Sequence, residues 1–279
     1  IETVRTALPS GAASLDVREH SFGCTLFDNA EIEAFDIGPV RFEPRSEWLN
    51  RKLAEGDVDA VIYRRVQKRW RGETPAKRKN KRDSLREGDI LTAIGRCGYV
   101  CSVKTRGLSA QASLQKALTA ARLALTSVAL LWETPSRVLD GFNLLYDREV
   151  RIQKALTFVP GKITIAGQRL SGMPSGPRIE TQVWQNEHAA KQRHFSACGE
   201  IIEYILSPDG KVKRPNLMSR LAMAFVWFYE GCRETIPLMA IVAFTASMDA
   251  LGGGKKAAGI LAIFDARLGL AGNTQLYPG

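Results

Sequence analysis

From Ser109 onward the chain carries its clearest periodic signal. Leu114, Leu118, Ala121, Leu125, Val128 and Trp132 recur at alternating spacings of four and three. That spacing places them along one face of an α-helix, with Ser109 as its cap and Pro135 beyond its end. Before it, SFGCTLF and the stretch EIEAFDIGPVRF read as short strands around a Gly38-Pro39 turn. Ser46 is expected to cap a helix carrying Trp48, Leu49 and Leu53. Asp57 is expected to cap a second, with Val58, Val61, Ile62 and Val66 on one face. Ile90, Ile94, GRCG and Tyr99 to Val103 suggest one hairpin, and Phe158-Val159, Pro160-Gly161 and Ile163 to Ile165 another. Glu200 to Leu206 is a strand or a short helix, and the turn-rich SGMPSGP at 171–177 could separate two units.

The C-terminal pattern is helical. Asn216 precedes a stripe of Leu217, Leu221, Phe225, Phe228 and Cys232. A second helix, about 235–251, is apolar nearly all round, which predicts a central, buried helix stopped by Gly252 to Gly254. A third, about 255–270, turns Ile260, Ile263, Phe264 and Leu268 inward. Cover for the buried second helix would come from the 109–132 helix or from a helix beyond Gly279. The expected fold class is α+β: an irregular N-terminal region of short strands and helices over 1–215, then an all-α bundle over 216–279.

Composition changes this picture little, but charge changes it a great deal. The 279 residues are 45% hydrophobic and 24% charged, as in a globular protein that buries a core. Five scattered cysteines form no CxxC pair, so reduced thiols are expected, and neither metal nor cofactor. No N-terminal signal is evident, and the near-apolar run 236–248 is too short to span a bilayer. A cytoplasmic protein without a membrane partner is expected. The chain starts on Ile1 rather than Met, and is expected to be part of a longer product.

The net charge is +10, and the 23 residues Arg64 to Arg86 hold eleven Lys/Arg against Glu73 and Asp83. The first 63 residues hold six basic against twelve acidic side chains. An excess this local is an electrostatic address. Phosphate backbones, anionic membranes and acidic proteins could each read it; the interleaved Trp70 and the arginine share favour nucleic acid. The candidate contacts are Arg64, Arg65, Lys68, Arg69, Arg71, Lys77, Arg78, Lys79, Lys81 and Arg82, with the stretch 72–82 as an exposed loop. Trp70 could stack on a base or pack at the end of its helix.

Residues RLAMAFVWFYEGCRETIPLMAIVAFTASMDALGGG, with RLGL in the next helix, resemble the Apea-like branch of the HEPN helical domains. Met248, Asp249, Ala250 and Leu251 fill the places of that branch's Leu/Met-acid-x-Leu signature, with Asp where Glu is usual. The resemblance covers roughly 217–279. It implies RNA binding, pairing of two helical domains into a homodimer, and in active members metal-independent RNA cleavage by an Arg followed four to six residues later by His. His20, His188 and His194 do not follow an arginine at that distance. In the family that motif lies in a helix after the matched region, so the expectation is an endoribonuclease of the toxin or phage-defence kind if such a helix follows. The alternatives are a nucleic-acid-binding or assembly module without catalysis, and a scaffold. Asp249 is expected either to pair with Arg220, Arg233 or Arg267, or to be an accessory polar group beside the cleavage site. Gly252 to Lys256 lacks phosphate-loop spacing and reads as a helix stop.

Overall fold

A computed structural model describes residues 17–29, 31–76, 81–95, 97–147, 152–159, 162–170, 176–207, 212 and 214–269. The fold is α+β. An antiparallel sheet of order β2-β3-β4-β1-β5 is built from β1 (Arg18–Thr25), β2 (Phe35–Ile37), β3 (Val40–Pro44), β4 (Tyr99–Thr105) and β5 (Asn143–Leu144). Three helices, α1 (Arg45–Ala54), α2 (Ala60–Trp70) and α3 (Lys81–Ile94), lie between β3 and β4 in sequence. After β4 come α4 (Ala110–Ala129), the short α5 (Pro135–Leu139) and a 3-10 turn at Leu145–Asp147. A separate hairpin, β6 (Ile152–Val159) and β7 (Lys162–Leu170), precedes α6 (Thr181–Ala190), α7 (Gln192–Leu206), α8 (Pro215–Arg233), α9 (Pro237–Leu251) and α10 (Lys256–Leu268).

Period-two alternation sorts the sheet's side chains onto two faces. Phe22 and Cys24 of β1, Val40 and Phe42 of β3, and Tyr99, Cys101 and Val103 of β4 join the larger apolar core with α4 and α7. Val100 belongs instead to a smaller cluster with Trp48, Leu49, Val58, Ile62, Val66 and Ile94, under α1 to α3. Gly38, at φ +56°, turns β2 into β3 and lets that turn touch the α7 backbone at Gly199, where a Cβ would meet atoms within 2.6 Å.

The other face of the strands is polar, and α1 covers it. Arg51 donates to Glu43 of β3 at 2.5 Å, Glu19 of β1 at 2.9 Å and Ser102 of β4 at 3.3 Å. Lys52 beside it reaches Glu19 at 3.0 Å, Glu55 at 2.9 Å and Asp57 at 2.8 Å. Burial alone would raise the pKa of Glu19, but the hydrogen bonds from Arg51 and Lys52 overcome it and hold the carboxyl at about 2.

Several local expectations are corrected by this packing. The central buried helix is α4, with Leu118, Ala121, Leu125 and Val128 all buried and Ser109 capping its start. The all-apolar α9 is not buried. It lies along α8 through a narrow seam in which Ser247 donates to the Ala224 carbonyl at 2.8 Å and Phe244 sits over Gly231. Its remaining faces point outward, with Leu238 69%, Ile241 61% and Val242 53% exposed. Uniform hydrophobicity left the buried direction undetermined, and the small residues of the seam decided it. Nor do Ile90 and Ile94 belong to a strand: both lie on α3, while Tyr99 to Val103 is strand β4. Asp59, not Asp57, caps α2, accepting from Val61 and Ile62 N–H groups, because Asp57 is held by Lys52. Pro44 and Arg214 occupy the caps expected at Ser46 and Asn216. Glu200 to Leu206 is the end of a helix, α7.

The larger core runs across position 215, since Ala222, Phe225, Tyr229 and Cys232 of α8 belong to it. The turn-rich residues 171–175 lie outside the described residues. Among the described residues no single helix is long and apolar enough to cross a membrane; α9 and α10 reach that length only together, bent by 73°.

The Arg51 site makes a stability prediction with two arms. Arg51→Ala should cost about 3 kcal/mol in denaturant unfolding, because buried Glu43 keeps only the more distant Arg41, 3.6 Å away. Glu19 adds a pH dependence. Its lowered pKa stabilises the fold above the ordinary 4.5, and that contribution should fade as pH drops from there toward 2. Arg51→Ala should flatten the acid limb of a stability-against-pH curve; an unchanged limb would remove Glu19 from the account.

Candidate nucleic-acid interface

The basic segment begins on α2 and continues into α3, two helices packed on each other beneath the smaller apolar cluster. Helical spacing divides the basic residues of α2 into two stripes. Arg65 and Arg69, four apart, face α3. The Arg65 guanidinium meets the buried Glu87 carboxylate at 2.5 Å and also donates to the Ala76 carbonyl at 2.8 Å. Arg69 lies 3.7 Å from the same carboxylate. Arg65 is thereby committed within the helix pair, while Arg69, with a side chain 41% exposed, faces solvent as well as Glu87.

Arg64, Lys68 and Arg71, at spacings of four and three, form the second stripe, and all three are exposed. Arg64 only folds back onto the Ala60 carbonyl of its own helix, at 3.0 Å. On α3, Arg82 and Arg86 are exposed as well. Lys77, Arg78 and Lys79 lie outside the described residues, as does the Lys81 side chain; Lys81 itself opens α3 rather than ending a loop. The ten residues joining α2 to α3 carry Arg71, Lys77, Arg78 and Lys79 against Glu73. Among the described residues the exposed basic side chains of α2 and α3 thus form a ridge suited to a line of phosphates.

Trp70 takes the packed alternative. Its ring is partly buried against the smaller cluster, and the Arg45 guanidinium lies 5.0 Å from its centroid.

Asp249 bonds to backbone rather than to an arginine. Its Oδ1 accepts from the Lys256 backbone N–H at 2.6 Å, tying the end of α9 to the start of α10 across Gly252 to Gly254. Among the described residues it pairs with no arginine. Arg233 instead donates to Asn143 Oδ1 and the Phe142 carbonyl, both at 2.7 Å, and so attaches α8 to the sheet edge. Gly253 and Gly254 have φ of +78° and +73°, the left-handed turn expected of a helix stop.

The histidines are separate. His188 sits among Phe35, Trp184 and Phe195, where burial lowers its pKa. His194 Nε2 is 2.8 Å from the Ser127 carbonyl. His20 Nε2 is 2.6 Å from Ser113 Oγ. What sequence reasoning missed is Glu87, the buried carboxylate that draws Arg65 inward; its signal was its place among the apolar positions of α3, one turn before Ile90 and Leu91.

Comparison of the chain with protein-family models, with curated proteins and with solved structures finds no match.

The two stripes should respond oppositely to substitution. Arg65→Ala removes the near partner of a buried carboxylate and should cost about 3 kcal/mol of stability. Lys68→Ser should leave stability within about 0.5 kcal/mol. Equal melting temperatures for the two variants would contradict the division.

Proposed function

We propose that this chain is an RNA-directed protein of HEPN type, acting in the cytoplasm. The observation that carries the reading is the outward stripe Arg64, Lys68 and Arg71, continued by the basic connection to α3 and by Arg82 and Arg86. Such a ridge neutralises phosphates without reading bases, so affinity is to be expected for many sequences and a steep salt dependence with it. The segment that resembles the HEPN domains supports the second half of the proposal. In it α9 presents Leu238, Met239, Ile241 and Val242 to solvent, a contiguous apolar face of the kind that marks an interaction site. A second copy meeting that face would form the homodimer that the resemblance implies. In this reading the chain binds RNA and dimerises; cleavage without metal follows where an Arg and His of the family's signature are supplied by a helix after the matched region. A purely binding or assembly role uses the same ridge and differs only in that last step.

Two measurements test the proposal. Replacing Arg64, Lys68 and Arg71 together with Ser should weaken single-stranded RNA binding and flatten the slope of log affinity against log salt by roughly 0.7 per lost contact. Unchanged affinity and slope would remove the ridge from the account. Labelled RNA incubated in EDTA with the full-length protein then separates cleavage from binding alone. For the apolar face, Ile241→Asp should shift the protein from dimer to monomer in sedimentation with little loss of helix content. A monomeric wild type at tens of micromolar would refute the pairing.

A further inference from the structure

A cleft of about 460 Å³ opens beside β1, with four consecutive β1 residues, Glu19 to Phe22, along one side. Its other walls include Thr92 and Ala93 of α3, Leu114 of α4 and Tyr146 of the 3-10 turn. Among the described residues, most of this side of β1 has no strand partner. β5 pairs only with Cys24 and Thr25, so among the described residues no strand covers β1 from 18 to 23 on that side. Backbone donors and acceptors therefore line the cleft.

Three further features give it a chemistry. Tyr146 is 55% exposed, yet its position is fixed. Its ring meets Phe22 edge-on, with centroids 5.9 Å apart, and the adjacent Asp147 is clasped by Arg122 at 2.6 and 3.0 Å. His20 has one ring nitrogen on Ser113, and among the described residues no partner is recorded for the other. Burial first, and Arg18 second, lower its pKa, so it is a neutral hydrogen-bonding group near pH 7. Glu19 lines the cleft too, but Arg51 and Lys52 compensate its charge.

The cleft also lies on the route of the basic ridge. On α3, Arg82, Arg86 and Ala93 share one face at spacings of four and seven, with Asp89 between them. From Arg86 to Ala93 is ~10 Å along the helix axis, a span of one to two nucleotides.

We propose that this cleft receives a base of the single-stranded RNA whose backbone follows the ridge. The base stacks on Tyr146 and turns its hydrogen-bonding edge to His20 and the open backbone of β1. A flat ring with a polar rim matches a rigid aromatic face set beside a row of backbone donors and acceptors. The inference rests on the RNA reading above, and it adds a site where base identity can matter.

The test uses a uridine octamer, fluorescently labelled for affinity and carrying 5-iodouridine for crosslinking. Tyr146→Ala should weaken binding about tenfold at fixed salt, within the range found for losing one stacked base. The salt slope should stay unchanged, because no phosphate contact is lost. Tyr146→Phe keeps the ring and should bind as the wild type does, which controls for packing against Phe22. Crosslinks should fall on Tyr146 or His20. Wild-type affinity in Tyr146→Ala, while the Arg64/Lys68/Arg71 variant loses affinity, would overturn the cleft and leave the ridge standing. The unpartnered side of β1 would then be open to an extended peptide instead. Failure of the wild type to bind the octamer at all would overturn both readings.

Discussion

A single guanidinium spans three neighbouring strands, because the sheet's second face is polar. Glu43, Ser102 and Glu19 come from β3, β4 and β1, and Arg51 of α1 donates to all three. Glu43 is almost fully buried, and a carboxylate in that position is tolerable only while it is paired. The consequence reaches past stability. With α1 fixed on this face by charge, the chain continues directly into Asp57 and Asp59, one held by Lys52 and the other capping α2. The orientation of α2, and so of its two basic stripes, follows from that anchoring. The surplus of acid in the first 63 residues is thus partly internal currency, matched to Arg51 and Lys52.

Charge at the surface is what remains after these internal pairings. Glu87 takes Arg65 and lies near Arg69, which stays exposed together with Arg64, Lys68 and Arg71. A charge count over 64–86 therefore overstates the outward field of α2 but leaves its location unchanged. The cleft beside β1 adds what the ridge lacks, an aromatic face and hydrogen-bonding groups, and both surfaces are carried on α3.

Legibility in the sequence tracked how one-sided each pattern was. The seam of α4, its Ser109 cap, the β6–β7 hairpin and the glycine stop after α9 are all present as expected. Each depends on local chemistry or on a period that a single element satisfies alone. Ile90 and Ile94 suit a strand followed by a turn as well as a helix, and the helix is fixed by tertiary contacts: the smaller apolar cluster and the Arg65–Glu87 pair. For α9 the failure was of a different kind, since a helix apolar on every side carries no directional information. The division of arginines was hidden as well, because Arg64 and Arg65 differ only in which way α2 is rolled. The cleft could not be read at all: β1, α3 and Tyr146 meet only through tertiary contact.

The exposed face of α9 also sets a limit on how the C-terminal helices are held. α8 reaches the main core through Ala222, Phe225, Tyr229 and Cys232, and its Arg233 is bonded to the chain just before β5. α9 is attached through α8, by Ser247 on the Ala224 carbonyl, Phe244 over Gly231 and the Phe228–Phe244 ring contact. Helices of this length draw most of their stability from packing an apolar face rather than from propensity. Leu238, Met239, Ile241 and Val242 bring only part of that stability while they face water. Full cover would recover roughly 1.5–3 kcal/mol for each such side chain. A helix with this much exposed apolar surface has the most to gain from a partner, and in the proposed dimer its order and its pairing would be one equilibrium rather than two.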